Sequence, residues 1–299
     1  MALIPPFFLD TVAAIGQVAG GGSIEWTASG FLYGEYMETN AQGKQYRIYL
    51  VTNRHVLDGA KAIVVRFSSQ DSALAPAINL PIIDATGRPV YVLYPDPGVD
   101  VAVLPMNVAL LQIPGTKFSF FQSDEHVLDR AAAVAQGVIE GDGGYVLGFP
   151  MGQVGGERNY VIVRQGVLAR VRDWLAGAAK EFLVDVTVFP GNSGGPVVTR
   201  PEATAIEGTL PNLKANLIGV VKAYVPYRDV AISRQTGRER IVFEENSGLT
   251  AVVPFDYVRE AVRLHMSSAA APAPAVSTPD VPPGQTGPAG PIITGSSPE

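Results

Sequence analysis

Ser193 sits in Gly191-Asn192-Ser193-Gly194-Gly195-Pro196, with small residues on both sides. Glycines let a backbone turn tightly and leave a hydroxyl exposed beside amide N–H groups. A nucleophile with an oxyanion hole requires that arrangement. A serine hydroxyl attacks only when something takes its proton, so the motif predicts a histidine and a carboxylate elsewhere. The chain has three histidines. His126 lies in the polar stretch Gln122-Ser123-Asp124-Glu125-His126, and His265 stands just before a low-complexity tail. Both read as solvated surface residues. His55 follows the alternating run Tyr46-Arg47-Ile48-Tyr49-Leu50-Val51, which places it just past a half-buried strand, on a rigid support. Asp100 lies inside the apolar run Gly98-Val99-Asp100-Val101-Ala102-Val103-Leu104. A carboxylate there is costly to bury without a donor, and a histidine N–H is a natural one. Asp96, between Pro95 and Pro97, reads as a turn residue. Alone, a histidine at a strand end is more often structural, and an acid at a strand start more often caps a loop.

Together the three segments say more. They follow one another as His55, Asp100 and Ser193, separated by 45 and 93 residues. That order differs from the orders found on subtilisin and α/β-hydrolase folds. Thr52-Asn53-Arg54-His55-Val56, Asp100-Val101-Ala102-Val103-Leu104 and the serine hexapeptide resemble the three signature segments of trypsin-like serine peptidases. The resemblance is closest to the bacterial HtrA/Deg branch. Asp185-Val186-Thr187-Val188-Phe189-Pro190, Leu147-Gly148-Phe149-Pro150 and Gly248-Leu249-Thr250-Ala251-Val252-Val253-Pro254 are similar to further segments of that branch. The likeness runs over about residues 10–265.

The resemblance implies a serine endopeptidase acting on protein or peptide substrates without a cofactor. Ser193 would be the nucleophile and His55 the base. Asp100 would orient the imidazole, and the turn Gly191-Asn192-Ser193 would form the oxyanion hole. It also implies an all-β architecture of two packed antiparallel six-stranded barrels, with a short closing helix. His55 and Asp100 would come from the first (residues 1–120) and Ser193 from the second (121–266). Thr187, six residues before the nucleophile, falls at the base of the specificity pocket. Val221, Lys222 and Ala223 would fall on one wall, and an uncharged threonine predicts a small or medium apolar residue before the cut, whereas a Lys222 pointing into the cleft would instead favour acidic side chains. The chain departs from zymogen-type trypsins at Asn192, where they carry an aspartate that pairs with a newly cut N-terminus. No activation by N-terminal cleavage is therefore expected. No PDZ domain is expected after the peptidase segment.

Composition agrees. Hydrophobic residues make up 47%, and 32 glycines and 24 prolines punctuate short apolar runs, which suits an all-β fold. Val90–Tyr94, Tyr160–Gln165, Phe182–Val188 and Ile218–Val225 read as strands. Phe255, Val258 and Val262 form a helical stripe after Pro254, and a second helix fits within Glu125–Gln136. The net charge is −6, and no Lys/Arg cluster interleaves with aromatics, so nucleic acid is not an expected partner. Without cysteine and with three scattered histidines, no metal-ligand spacing is present. The absence of cysteine fits a bacterial protein. The N-terminus has no positive region before its apolar stretch, which predicts neither a signal peptide nor membrane insertion. A cytoplasmic location is expected, with periplasmic or secreted as the alternative. Pro201–Asn216 reads as an insertion loop, and the charged Pro226–Ser247 segment as a solvated hairpin or a loop gating the pocket. Residues 267–299 hold eight prolines and two charges, the signature of a disordered tail. Two other activities fit the same motifs: a peptide-binding scaffold that turns over little, and an esterase-like acyl hydrolase.

Overall fold

The computed structural model describes residues 4–70, 75–156, 158–270 and 293–294. The chain enters through a 3-10 turn, Pro6–Thr11, and then runs through strands in short apolar stretches. The first group is β1 (Val12–Val18), β2 (Ile24–Asn40), β3 (Gly43–Thr52), β4 (Ala62–Arg66), β5 (Ser68–Ser69), β6 (Ala77–Pro81), β7 (Val92–Leu93), β8 (Ala102–Pro105), β9 (Thr116–Lys117) and β10 (Phe121–Gln122). The second is β11 (Gly143–Gly148), β12 (Ile162–Arg170), β13 (Phe182–Asp185), β14 (Pro196–Thr199), β15 (Leu217–Ile232) and β16 (Glu239–Pro254). Among the described residues the α-helices are α1 (Arg54–Leu57), α2 (Val108–Leu111), α3 (Arg130–Ala135) and α4 (Arg172–Leu175) between strands, and α5 (Phe255–Ala270) after β16.

The second group closes into a barrel in the order β11-β12-β13-β16-β15-β14. Its interior is filled by Val146, Leu168, Phe182, Val184, Val197, Ile218, Val221 and Val252, with Trp174 stacked on Phe182. The first group curls in the order β6-β4-β1-β2-β3-β8-β7 but does not close into the second six-stranded barrel. The reason lies at its ends. β7 is two residues long, and Pro89, Pro95 and Pro97 around it cannot donate to a ladder. Its interior packs Ile15, Leu32, Ile48, Leu50, Ile63, Val65 and Leu104. A third apolar layer joins the two halves: Phe31, Tyr33, Tyr49 and Val101 from the first, Leu147, Phe149 and Val198 from the second, and Phe255, Val258 and Val262 of α5. Each such side chain contributes about 1.5–3 kcal/mol when fully buried, so this layer fixes one half against the other.

Several boundaries differ from expectation. The Val90–Tyr94 run pairs only at Val92–Leu93, and Phe182–Val188 leaves the ladder after Asp185. The closing helix is present as expected and spans 16 residues, reaching through Ser267–Ala270, which composition had assigned to the tail. The expected disorder of residues 271–292 and 295–299 lies outside the described residues. The backbone of Ile293–Thr294 forms a last strand, β17, antiparallel to Tyr46 and Gln45 of β3. The segment expected as a solvated hairpin is the outer half of the β15–β16 ribbon, with Asp229 opposite Phe243 and Val230 opposite Val242. Tyr227, Ile232, Ile241 and Phe243 on it are exposed.

The connection from β12 into α4 yields one pH-dependent prediction. Glu140 accepts from the backbone N–H groups of Val171 and Arg172, both at 3.0 Å, and from Arg172 Nε at 2.8 Å. Partial burial pushes this carboxyl up, but the backbone donors and Arg172 outweigh it and hold it at about 2, below the ordinary 4.5. A depressed folded pKa stabilises above the unfolded value and loses that contribution as pH falls through the folded one. Glu140→Gln is therefore expected to lower the urea midpoint at pH 7 and to match the parent protein near pH 2. The exposure of the site keeps the difference small.

Candidate active site

β3 delivers His55. The strand is buried along its second half and ends at Thr52. Asn53, fully buried and extended, then stands at the N-cap of the single turn α1, and His55 is the second residue of that turn. β8 pairs antiparallel with β3, Thr52 opposite Ala102, so the residues just before β8 lie beside those just after β3. Asn53 Nδ2 fixes the approach by donating to the Asp100 carbonyl at 2.8 Å. Arg54 Nη2 ties the same turn to the Tyr94 carbonyl at 2.5 Å.

Asp100 then meets His55 twice. Oδ1 accepts from the His55 backbone N–H at 3.1 Å, and Oδ2 lies 2.6 Å from Nδ1. Burial pushes the Asp100 carboxyl up, but the hydrogen bonds and charge of His55, with the more distant Lys222, bring it below the ordinary carboxylate value. An ionised Oδ2 can only accept, so Nδ1 carries the proton. In the neutral ring that leaves Nε2 as the free lone pair. The carboxylate is largely covered, whereas the imidazole is half exposed. The pair is thus anchored on its inner side and open on the outer one.

The serine turn lies between β13 and β14. Gly191 (φ 101°) and Gly194 (φ 83°) are left-handed, a conformation glycine adopts without strain. Three carbonyls of the turn are engaged by backbone N–H groups: Pro190 O accepts from Met151 N at 2.6 Å, Asn192 O from Gly195 N at 2.9 Å and Ser193 O from Ser29 N at 2.9 Å. The 190–191 peptide is trans, so the Gly191 N–H points away from Met151. Among the described residues, neither Gly191 N–H nor Ser193 N–H has a hydrogen-bond acceptor. The N–H of Asn192 is different: it donates to Phe189 O at 3.0 Å. Asn192 therefore belongs to the turn as scaffold and not as an anion donor. Its side chain is buried and folds back, with Oδ1 accepting from Phe189 N.

Gly194 N–H donates to Val221 O and Val221 N–H to Gly195 O, both at 2.9 Å, which locks the turn to β15. The Ser193 hydroxyl donates to the Lys222 carbonyl at 3.2 Å. At rest it is turned to β15 rather than to the imidazole.

The residues expected around the specificity pocket divide. Val221 is fully buried in the barrel, so its side chain does not line a cleft, and only its backbone serves the turn. Lys222 is ion-paired with Glu181 at 2.5 Å. Ala223 and Thr187 are exposed. Thr187 stands by Gly248, where an added Cβ would lie 3.9 Å from Thr187 Oγ1 and equally 3.9 Å from Asp185 Oδ1. The Asp185 carboxylate is a charge that a reading from Thr187 alone omits. Strand spacing was its signal, since residues two apart share a face.

The other two histidines are not solvated surface residues. His126 Nδ1 accepts from Gln122 N–H at 3.1 Å, and its ring packs on Phe7 and Phe8. Burial lowers its pKa. His265 Nδ1 bonds the Tyr49 hydroxyl at 3.0 Å, and burial with the charge of Arg47 lowers its pKa as well. The His126 bond is local, but the rings that cover His126 and the Tyr49 bond of His265 come from segments distant in sequence, which no local pattern announces. Among the described residues, no three His, Asp or Glu side chains stand close enough to hold a metal ion, and no helix is long and apolar enough to cross a membrane.

A family model described as "Trypsin-like peptidase domain" matches residues 28–204, a span that includes His55, Asp100 and Ser193. No curated protein matches the chain.

Proposed function

The chain belongs to the trypsin-like peptidase family, and from that premise we propose that it is a serine endopeptidase whose chemistry is carried by Ser193, His55 and Asp100. One observation carries the reading. A carboxylate–imidazole pair at 2.6 Å, clamped a second time through the His55 N–H, shares the family span with a serine turn that holds two free amide N–H groups.

The steps follow from the donors and acceptors. The Ser193 hydroxyl rotates from Lys222 O to Nε2 of His55, the one ring nitrogen without a proton. As Oγ attacks the scissile carbonyl, Nε2 takes its proton, and the imidazolium is held by an Asp100 carboxylate that stays ionised. The carbonyl oxygen becomes an oxyanion facing the N–H groups of Gly191 and Ser193. Each such donor is worth on the order of 3 kcal/mol of barrier. Nε2–H then protonates the leaving amine, and water repeats the sequence in reverse roles to release the acyl group. Asp100 sets the tautomer; an asparagine there would permit the wrong one.

The test is covalent labelling with a fluorophosphonate probe, which requires an activated serine next to an oxyanion hole. The parent protein is expected to label at one site and to digest casein. Ser193→Ala is expected to do neither. Labelling without digestion of any protein would favour acyl-ester hydrolysis. An unlabelled parent protein, tested also with casein present, would overturn the enzyme reading in favour of a peptide-binding scaffold.

A further inference from the structure

Ser29 lies in β2, in the first half of the molecule, and its side chain is fully buried. The nearest catalytic candidate in sequence is His55, yet the Ser29 side chain contacts the serine turn. Its hydroxyl donates to the Gly191 carbonyl at 2.7 Å and accepts from Phe149 N–H at 3.0 Å. The proton assignment has no freedom. Phe149 N–H can only donate, so the single hydroxyl proton must go to Gly191 O. The backbone of Ser29 holds the next part of the turn, its N–H donating to Ser193 O and its carbonyl accepting from Thr52 Oγ1 at 2.9 Å. Packing leaves no slack. A Cβ on Gly148 would stand 2.7 Å from Ser29 Oγ, and one on Gly194 would stand 2.1 Å from Ser29 O.

This contact completes the restraint of the turn. Pro190, Asn192 and Ser193 have their carbonyls bonded to backbone N–H groups. The Gly191 carbonyl is the exception, bonded to a side chain, while the N–H end of the same peptide plane is held by the Asn192 bond to Phe189 O. That plane joins the two free donors, Gly191 N–H on one side and Ser193 N–H beyond Asn192. Gly191 is also the residue with the least intrinsic resistance to rotation, because it has no side chain. We propose that the Ser29 hydroxyl is a positioning group for the oxyanion hole: it fixes the 191–192 peptide so that both donors converge on the developing negative charge. It touches no reacting atom. It acts through the turn, and it makes the catalytic geometry of the second half depend on a residue of the first. The assignment rests on the peptidase reading above.

Ser29→Ala removes the donor and leaves both Gly191 O and Phe149 N–H unpaired. The experiment measures kcat and KM on a fluorogenic peptide selected from a library, with rates divided by the active sites titrated with fluorophosphonate. It also compares affinities for the corresponding peptide boronate, whose bound form is a tetrahedral anion, and for the product peptide. The expected result is a fall of about 10- to 100-fold in kcat per titrated site, the range of one impaired donor or less. KM should stay within about twofold, boronate affinity should fall in step with kcat, and product affinity should not change. Ser29→Cys, with a longer and weaker donor, should show the same split at smaller size, and it serves if the alanine variant does not fold. A merely structural role would lower the titrated fraction and leave kcat per site and the boronate-to-product ratio at parental values; that result overturns the proposal while the peptidase reading stands. A parent protein that neither labels nor cleaves overturns both.

Discussion

His55→Ala should lower kcat by about a millionfold while leaving the thermal midpoint close to that of the parent protein. The size follows from the chemistry. A serine hydroxyl keeps its proton at neutral pH, and in the proposed reaction the imidazole takes it. Removing either member of a nucleophile–base unit costs about as much as removing the whole unit. Ser193→Ala should therefore reach the same floor, and the double variant should lose nothing more. Asp100→Asn should fall short of that floor, at about 10⁴-fold, because the imidazole remains but its proton can sit on the wrong nitrogen. The stability part of the prediction rests on exposure. The His55 side chain is half open to solvent, so its loss leaves no cavity in a packed core. Steady-state kinetics on a peptide substrate, with a thermal melt of each variant, decide the matter. A His55→Ala enzyme within tenfold of the parent would remove His55 from the reaction.

Gly194→Ala should be strongly destabilising, since among the described glycines an added Cβ there meets the closest neighbour. Its φ of 83° is left-handed, which costs an L-residue about 1–2 kcal/mol. The added Cβ would also lie 2.1 Å from the Ser29 carbonyl oxygen and 2.3 Å from Thr52 Oγ1. Neither neighbour is the loose end of a long chain, so backbone must move, at a cost of about 1–3 kcal/mol more. Together, about 2–5 kcal/mol is a large share of a typical domain's stability. Gly59→Ala is the control. Its φ of 74° brings the same left-handed strain, but nothing lies within 4 Å of the new Cβ. Urea midpoints should place Gly194→Ala below Gly59→Ala by the collision alone. Equal midpoints would mean that the two halves do not meet closely at Ser29.

The candidate triad was legible because each member sits in a local pattern. His55 ends an alternating run, Asp100 interrupts an apolar one, and Ser193 is flanked by glycines. Strand content was legible for the same reason, since β-branched and aromatic runs carry their own periodicity. What stayed hidden depends on pairs far apart in the chain. Ser29 is an unremarked small residue until folding sets it against Gly191. His126 and His265 are polar residues in polar stretches, and only the fold supplies Phe7, Phe8 and Tyr49 to cover them. Lys222 has no readable direction until Glu181 claims its ammonium group. The open first sheet was hidden as well, because closure depends on whether two short, proline-rimmed edges reach each other. No single strand encodes that.

In mechanical terms, the β15–β16 ribbon is a cantilever. Its free part, from Val225 to Ile232 and back, extends about 26 Å at the rise of a strand. The root is the stretch that bonds Gly194 through Val221 and receives the Ser193 hydroxyl through Lys222. A load on the tip therefore becomes a torque on the strand that braces Ser193. An immobilisation tag, a lattice neighbour or an antibody bound near Ile232 would pull on the same beam that holds Ser193.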